Sequence, residues 1–214
     1  MTVRFILGSN TTPTSEVVRE EIKTMLKQEP YGKPIIFIVP EQMTFQQEYA
    51  LLEDEIKGSI RAQVLSFSRL AFRVMEETGG ATKSMITSTG IQMMLRKIIE
   101  ERQTDWHMFQ QSVDKKGFIE QLEVLITEFK RYKITPEQID QAYNDSNQSD
   151  GLKDKLGDLH YIYSHLTEAL TKRFIDGEDR LRLLEEKVLE SQYLKDATIY
   201  IDGFHRFTPL EQAV

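Results

Sequence analysis

Cysteine is absent from all 214 residues of the chain. The sequence therefore offers no disulfide, no thiolate ligand for a metal and no cysteine nucleophile. Long apolar runs are absent too: the longest, Ile35–Val39, has the length of one strand, whereas a membrane-spanning helix needs about 20 residues. The opening residues do not show the basic and then apolar pattern of a secretion signal. These absences predict a cytoplasmic protein with no membrane partner.

An excess of basic charge is also lacking, because 34 acidic residues outweigh 27 basic ones and give a net charge of −7. This balance argues against tight binding of nucleic acid by the whole surface, so any such contact has to come from a local basic patch. Two segments are candidates, Arg61–Arg73 and Lys130–Lys133. For each of them an ordinary solvated helix end or face is the favoured interpretation, because short basic clusters are common.

The first residues have the spacing of a phosphate-binding loop but lack two of the residues that bind the phosphates. Such a loop reads G-x-x-x-x-G-K-[ST] between a strand and a helix. Gly8 and Ser15 match its first glycine and its hydroxyl residue, but Pro13 and Thr14 stand at the second glycine and the lysine. Proline has no N–H to offer a phosphate and cannot adopt a positive φ, and threonine brings no charge. The alternative is a plain strand–turn–helix connection with Thr14 or Ser15 as helix N-cap.

A carboxylate near the end of the chain fits the same partial pattern. The β-favouring run Ile199–Ile201 leads into Asp202, and Gly203 then breaks the strand. P-loop NTPases hold the Mg²⁺ of their nucleotide on an aspartate at such a strand end. The predicted remnant of a nucleotide site consists of Gly8, Thr14, Ser15 and Asp202. Competent ATP binding is not expected there.

Hydrophobic periodicity predicts an α/β fold with a large all-α insertion. Strands are predicted at 3–7, 35–39, 62–67 and 197–202. Helices follow the first three of them, which indicates βαβ crossovers and a parallel sheet. Between residues 84 and 192 we find no strand, only helices near 88–102, 105–112, 115–132, 136–144, 152–173 and 178–190.

Two domains follow from this pattern. A sheet domain comprises residues 1–83 and 195–214, and a helical insertion comprises residues 84–194. Four strands are few for a doubly wound sheet, so we expect the chain to be the N-terminal piece of a longer protein. Glu128 and Lys130 have the E-x-K spacing of metal-dependent nucleases, but they lie in a strongly helical stretch where that chemistry is not expected.

Five collinear blocks resemble the AddB subunit of the AddAB helicase–exonucleases. They are Ile35–Phe45, Arg61–Arg73, Thr87–Lys97, Glu128–Tyr132 and Tyr200–Glu211. The resemblance extends over essentially the whole chain. It implies an incomplete P-loop NTPase-like sheet of the superfamily 1 helicase type, and a role in processing double-strand breaks before homologous recombination.

The resemblance also implies partners and cofactors. In that family the AddA subunit is the ATP-driven motor, whereas AddB resembles a helicase without motor function that holds DNA and scans the exiting strand for Chi. A heterodimer with an AddA-type subunit is therefore implied, acting on single-stranded DNA and duplex ends. The 5′–3′ exonuclease of AddB, which uses Mg²⁺, and its [4Fe–4S] cluster lie near the far C-terminus. The present residues are expected to be non-catalytic and to hold no cofactor.

Two segments match those that lie beside single-stranded DNA in superfamily 1 helicases, Pro40–Thr44 and Ser66–Arg69. The candidate DNA-binding residues are Gln42, Thr44, Ser66, Phe67 and Arg69. Phe67 would stack on a base and Arg69 would pair with a phosphate, while Ser66 and Gln42 would donate hydrogen bonds. The opposite interpretation makes Phe67 a core residue and Arg69 a surface charge.

Two departures separate the chain from an active motor of that type. Pro13 and Thr14 interrupt the phosphate loop, and Gly203 stands where a motor has a second acid to activate water. Without the lysine, the glycine and the base, no ATP hydrolysis is predicted. Two alternatives stay open, namely an active P-loop NTPase with a deviant loop and a purely structural module that docks AddA.

Overall fold

A computed structural model of the chain describes residues 3–8, 13–53, 58–80, 82–102, 105–145 and 148–214. In chain order its elements are α1 (Thr14–Gln28), β1 (Ile35–Ile38), α2 (Thr44–Leu52), β2 (Ala62–Leu65), α3 (Phe67–Thr78), β3 (Ser84–Met85), α4 (Ser88–Arg102), α5 (Phe118–Arg131), α6 (Pro136–Asn144), α7 (Asp150–Arg173), β4 (Phe174–Ile175), α8 (Gly177–Lys187), α9 (Gln192–Lys195), β5 (Thr198–Ile201) and α10 (Pro209–Ala213). The α/β class is confirmed. Of the helices described, none combines the length and apolarity that crossing a bilayer requires.

Contacts divide the chain into two compact units. The sheet unit comprises Met1–Gly79 and Leu183–Phe207, and the helical unit comprises Gly80–Arg182 and Thr208–Val214. This division differs from the predicted domain limits at residues 80–83, 183–194 and 208–214.

The sheet unit is organised around β1. The strand order is β2–β1–β5 and both pairings are parallel, with Ile35 opposite Ala62 on one side and Thr198 on the other. All four residues of β1 are buried, as expected of a continuous apolar run that helices cover on both faces. The predicted parallel sheet is confirmed. Because the three strands are parallel, their carboxyl ends lie at one edge of the sheet, which we call the carboxyl edge.

The predicted strand at residues 3–7 is wrong. These residues have no regular structure, and Val3, Phe5 and Leu7 are 66%, 81% and 88% exposed. An apolar run becomes a strand only when a neighbouring strand takes up its backbone hydrogen bonds. The three strands described in the sheet unit pair only with one another, so the run lacks that partner.

The helical unit has a core of its own, formed largely by α4, α5, α6 and α7. The prediction of no strand between residues 84 and 192 is wrong, because β3 and β4 form a short parallel pair. The predicted helix at 105–112 is also wrong, since only the 3-10 turn Phe109–Gln111 is found there. The buried carboxylate of Asp158 accepts the backbone N–H groups of residues 107–109. It thereby satisfies donors at the start of that turn without a helix.

Helix ends test the predicted capping residues. Thr135 and Gln138 form a capping box at the start of α6, with Pro136 in the first turn, which confirms the predicted start. Gly79 ends α3 at φ +84°, as expected of a glycine C-cap. The N-cap expected of Thr14 or Ser15 is wrong, because α1 begins at Thr14 after Pro13 and no side chain caps it.

Candidate nucleic-acid interface at the carboxyl edge of the sheet

Three loops meet at the carboxyl edge because the strands before them are parallel neighbours. The loop after β1 begins at Val39, the loop after β2 at Ser66 and the loop after β5 at Asp202. Open α/β sheets bind their ligands at this edge. Most of the residues singled out from the sequence lie here.

Asp202 and Ser15 are in direct contact. The Ser15 hydroxyl donates a hydrogen bond to the half-buried carboxylate of Asp202, although the two residues are 187 positions apart. Thr14 is the first residue of α1, so it is the sequence neighbour of this contact. Gly8 is exposed, and residues 9–12, between Gly8 and Pro13, lie outside the described residues. The structure thus brings together two of the four residues of the predicted nucleotide remnant.

Gly203 occupies a position that disfavours a side chain. Its φ is +80°, which L-residues rarely adopt, and a Cβ would lie 2.9 Å from Met43 Sδ and 3.2 Å from Pro40 Cδ. The loop after β1 therefore packs directly against the backbone that follows Asp202. A side chain at this position would adopt a strained backbone conformation and would require the Met43 side chain to move.

Glu41 connects the loop after β1 to the loop after β2. Its carboxylate accepts a hydrogen bond from the Ser66 hydroxyl and lies 3.5 Å from Arg69 Nε, and its carbonyl accepts the Thr44 hydroxyl at 2.9 Å. Ser66 also caps α3 by accepting the N–H of Arg69 at 3.3 Å. Ser66 and Thr44 are buried, whereas Gln42 and Arg69 reach solvent. Among the candidate DNA-binding residues, Gln42 and Arg69 are therefore accessible to a ligand, whereas the Ser66 and Thr44 side chains form hydrogen bonds within the protein.

Phe67 is the hub of an aromatic cluster. Its ring meets those of Phe204 at 5.5 Å and Phe207 at 6.3 Å, both nearly edge-on, and Phe204 lies 4.9 Å from Phe207. Only 7% of Phe67 is exposed. The ring therefore belongs to the core, as the alternative interpretation had it, and its faces are not presented to a base. The cluster instead fixes the loop after β5 against the start of α3.

One cation of each predicted basic patch has a structural role. Arg61 is buried and donates to the carbonyls of Lys33 at 2.7 Å and Met25 at 2.9 Å. Lys130 is largely buried between the carboxylates of Asp176 and Asp179, at 2.5 and 2.8 Å. Neither cation is available to a phosphate, which corrects the nucleic-acid interpretation at these two positions, whereas Arg69 and Arg73 of the first patch are exposed.

Sequence reasoning missed His205 and Arg206. They lie between Phe204 and Phe207 and are exposed, whereas both phenylalanines are partly buried. The motif Phe-His-Arg-Phe could have pointed to them. Two aromatic residues that flank two polar ones indicate a loop whose ends are anchored and whose middle faces solvent. No group of three His, Asp or Glu residues in the described part of the chain is arranged to hold a metal ion.

A model of the protein family described as "ADDB, N-terminal" matches residues 5–214. The chain belongs to the AddB N-terminal family. Three similar relatives are each named as the B subunit of an ATP-dependent helicase/deoxyribonuclease. They come from Oceanobacillus iheyensis at 53% identity, Geobacillus kaustophilus at 48% and Anoxybacillus flavithermus at 46%. Each alignment covers 100% of this chain and 19% of the relative.

The family assignment confirms the resemblance read from the five sequence blocks. The chain spans about a fifth of the length of these AddB relatives, 19% in each case. The activity printed in their names therefore belongs to proteins much longer than the residues described here.

Proposed function

We propose that this chain is a helicase-like domain of an AddB-type subunit that handles DNA during double-strand break processing and neither needs nor hydrolyses ATP. The names of the relatives support a role in a helicase–deoxyribonuclease. The parallel sheet, with a hydroxyl at the first helix and an aspartate after β5, supports a P-loop NTPase-like ancestry. We place the complex in the cytoplasm, with an AddA-type subunit as partner and motor.

The geometry around Gly203 carries the proposal that ATP is not used. A motor needs a lysine for the phosphates, a metal-binding pair and a second acid. Here Asp202 is hydrogen-bonded to Ser15, Thr14 brings no charge, and the position of the second acid is held by Gly203, whose positive φ disfavours a side chain. One carboxylate and one hydroxyl are the protein ligands that Mg²⁺ takes beside a nucleotide in P-loop enzymes, so the missing lysine and second acid, rather than the metal ligands, argue against the use of ATP, and no catalytic step is assigned to such a metal.

The iron–sulfur cluster and the nuclease Mg²⁺ that the family implies do not fit the present residues. An iron–sulfur cluster needs cysteine thiolates, and the chain has no cysteine. Glu128 and Lys130, the E-x-K pair, lie within helix α5, and Lys130 is used in ion pairs with Asp176 and Asp179. We therefore assign the deoxyribonuclease activity, its Mg²⁺ and the cluster to the remaining four-fifths of AddB-type proteins.

One observation favours a second candidate, an NTPase with a deviant loop. Ser15 and Asp202 are the hydroxyl and the carboxylate that a P-loop enzyme brings together, and they are in contact here. A purely structural module that docks AddA is the third possibility. Measurements of nucleotide binding and hydrolysis distinguish the NTPase from the proposed function. Measurements of DNA binding distinguish the purely structural module from it.

The experiment measures binding of a fluorescent ATP analogue and release of phosphate, with Mg²⁺ present, for the natural protein and for Pro13→Gly/Thr14→Lys. We expect neither signal from the natural protein. The double variant should gain binding, because it restores the lysine and the loop glycine, but not hydrolysis, because Gly203 cannot supply the acid. Adding Ser15→Ala should abolish the gain. Phosphate release by the natural protein would overturn the proposal.

A further inference from the structure

Helix α2 of the sheet unit distributes its polar and aromatic residues in an unusual way. A surface helix normally turns apolar side chains to the core and polar ones to solvent. The buried positions of α2 include Thr44 and Gln47, and the Gln47 side chain accepts a hydrogen bond from Arg19 at 2.8 Å. Phe45 and Tyr49, by contrast, are 78% and 59% exposed. The outer side of the helix therefore carries aromatic area that a core would normally take up.

The exposed aromatic residues belong to one stripe along the helix. The stripe follows the spacing i, i+3, i+4 and i+7, which places its members on a single helix face. The rings of Phe45 and Tyr49 lie 6.4 Å apart and are tilted by 31°. The surface recess on this side is lined by Phe45, Glu48, Tyr49, Leu52 and Glu53, the last directly after the helix. We call these five residues the outer α2 face.

Two carboxylates accompany the rings on the outer α2 face. Glu48 and Glu53 are exposed, and neither forms an ion pair within the described ranges of the chain. The face therefore combines aromatic area with negative charge that this chain does not neutralise. A complementary partner has to be cationic and apolar at once. A guanidinium group fits this combination best, because it stacks on an aromatic ring and also pairs with a carboxylate.

The same carboxylates argue against other occupants. A nucleic acid could stack its bases on the rings, but Glu48 and Glu53 would repel its phosphates. A second copy of the chain, paired through this face about a two-fold axis, would bring the same carboxylates together, since such an interface is self-complementary. A protein segment that carries arginine beside apolar side chains satisfies both the rings and the carboxylates.

We infer that the outer α2 face is a docking surface for a basic amphipathic helix of a protein partner, with an arginine between the two rings and the two carboxylates. A helix is the matching occupant, because its side-chain ridges pack into the grooves of another helix and its apolar residues cover the exposed rings. The inference does not depend on the proposed DNA handling, since no residue of the outer α2 face belongs to the candidate DNA-binding set.

The test measures, by fluorescence anisotropy at low salt, the binding of two labelled helical peptides to the protein. The first peptide carries leucine and arginine on one face and alanine elsewhere, and in the second the neutral analogue citrulline replaces each arginine. We expect the arginine peptide to bind at least about three-fold more tightly than the citrulline peptide, because only arginine is charged. No binding of the arginine peptide, or equal binding of the two, would overturn the inference.

Variants of the outer α2 face locate the binding. Tyr49→Ser removes one ring and Glu48→Gln one charge, and each should weaken binding of the arginine peptide by about two- to five-fold. Both side chains are exposed, and circular dichroism checks that the variants are folded. Tyr31→Ser is the matched control, because Tyr31 is an exposed tyrosine of the sheet unit outside α2. An unchanged affinity in Tyr49→Ser, or an equal loss in Tyr31→Ser, would place the peptide elsewhere and overturn the inference.

The competing occupants are tested with the same variant. Sedimentation velocity reports self-association of the protein, and anisotropy with a labelled oligothymidylate reports binding of nucleic acid. We expect neither property to differ between Tyr49→Ser and the natural protein. Self-association that is lost in Tyr49→Ser would identify a second copy of the chain as the occupant, and a comparable loss of oligothymidylate binding would identify nucleic acid. Either result would overturn the inference.

Discussion

Gly203 connects local backbone geometry with the chemistry of the carboxyl edge. Its positive φ lets the chain turn directly after Asp202, and the missing Cβ lets the Pro40–Met43 segment approach the turn. The same two features disfavour an acid beside Asp202. A single position therefore permits close packing of two loops, and under the proposed function it lacks the group that would activate water.

Replacing this glycine should destabilise the protein. Gly203→Ala places a Cβ 2.9 Å from Met43 Sδ in a backbone conformation that costs an L-residue about 1–2 kcal/mol. We expect urea denaturation to show a loss of at least about 1 kcal/mol. Gly151→Ala is the control, since no heavy atom lies within 4 Å of its Cβ position in α7. Equal stability of the two variants would show that the turn is not strained.

Asp158 has a comparable structural role in the helical unit. It is fully buried, accepts backbone N–H groups of Met108 at 2.8 Å and Phe109 at 3.0 Å, and lies 3.4 Å from Arg102. Asp158→Asn should cost about 3 kcal/mol of unfolding free energy, because Arg102 then remains largely buried without its counter-charge. Asp105→Asn, at an exposed residue, should cost almost nothing. A loss below about 1 kcal/mol for Asp158→Asn would contradict this role.

Individual residues could be predicted only where their partners are local in sequence. Gly203 was recognised as a strand breaker, and the missing acid was evident, because both depend on neighbouring residues. The contact between Gly203 and Met43 was not evident from the sequence, because Met43 lies 160 positions earlier in the chain. For the same reason the sequence left open whether Phe67 stacks on a base or packs in the core, since its ring partners Phe204 and Phe207 are similarly distant.

At the scale of elements, α3 and α9 are joined through one carboxylate. Glu77, near the end of α3, accepts the Ser191 hydroxyl at 2.6 Å and the N–H groups of Gln192 at 2.8 Å and Tyr193 at 3.2 Å. The hydrogen bond from Ser191, followed by those from the two backbone amides, lowers the pKa of Glu77 below its ordinary value of 4.5. The contact directs the chain back toward β5.

This lowered pKa makes the contact dependent on pH. A carboxylate with a depressed pKa in the folded protein stabilises it above about pH 4.5 and loses that contribution as the pH falls through the folded pKa. Glu77→Gln should therefore lower the urea midpoint at pH 7 more than at about pH 3.5. Glu76, the preceding residue, accepts none of these hydrogen bonds, so Glu76→Gln should not alter the pH profile. Parallel profiles for natural protein and Glu77→Gln would contradict the assignment.

Helices were predicted better than strands for a physical reason. Long amphipathic segments such as α4, α5 and α7 repeat their apolar positions over several turns, so the period alone identifies them. The strands β3 and β4 have two residues each, which is too short for any period. Residues 3–7 are of types that favour a strand. Whether they form one depends on a neighbouring strand to pair with, which a local sequence pattern does not reveal.

At the scale of the whole molecule, the fold confirms the predicted α/β class, with a small parallel sheet in one unit and many helices in the other. The chain covers 19% of its AddB relatives, and the proposed division of labour assigns DNA handling to these residues and nuclease chemistry to the remainder. Under that proposal, the net charge of −7 would confine DNA contacts to local surfaces such as the carboxyl edge.

Binding of single-stranded DNA with and without MgATP tests the central claim most directly. The claim is that the chain handles DNA without using a nucleotide. Fluorescence anisotropy of a labelled oligonucleotide, at low and at moderate salt, should show an affinity that falls steeply with salt and is the same whether or not MgATP is present. An affinity that changes with MgATP would contradict the account and favour an active NTPase, and no binding at low salt would favour a purely structural module.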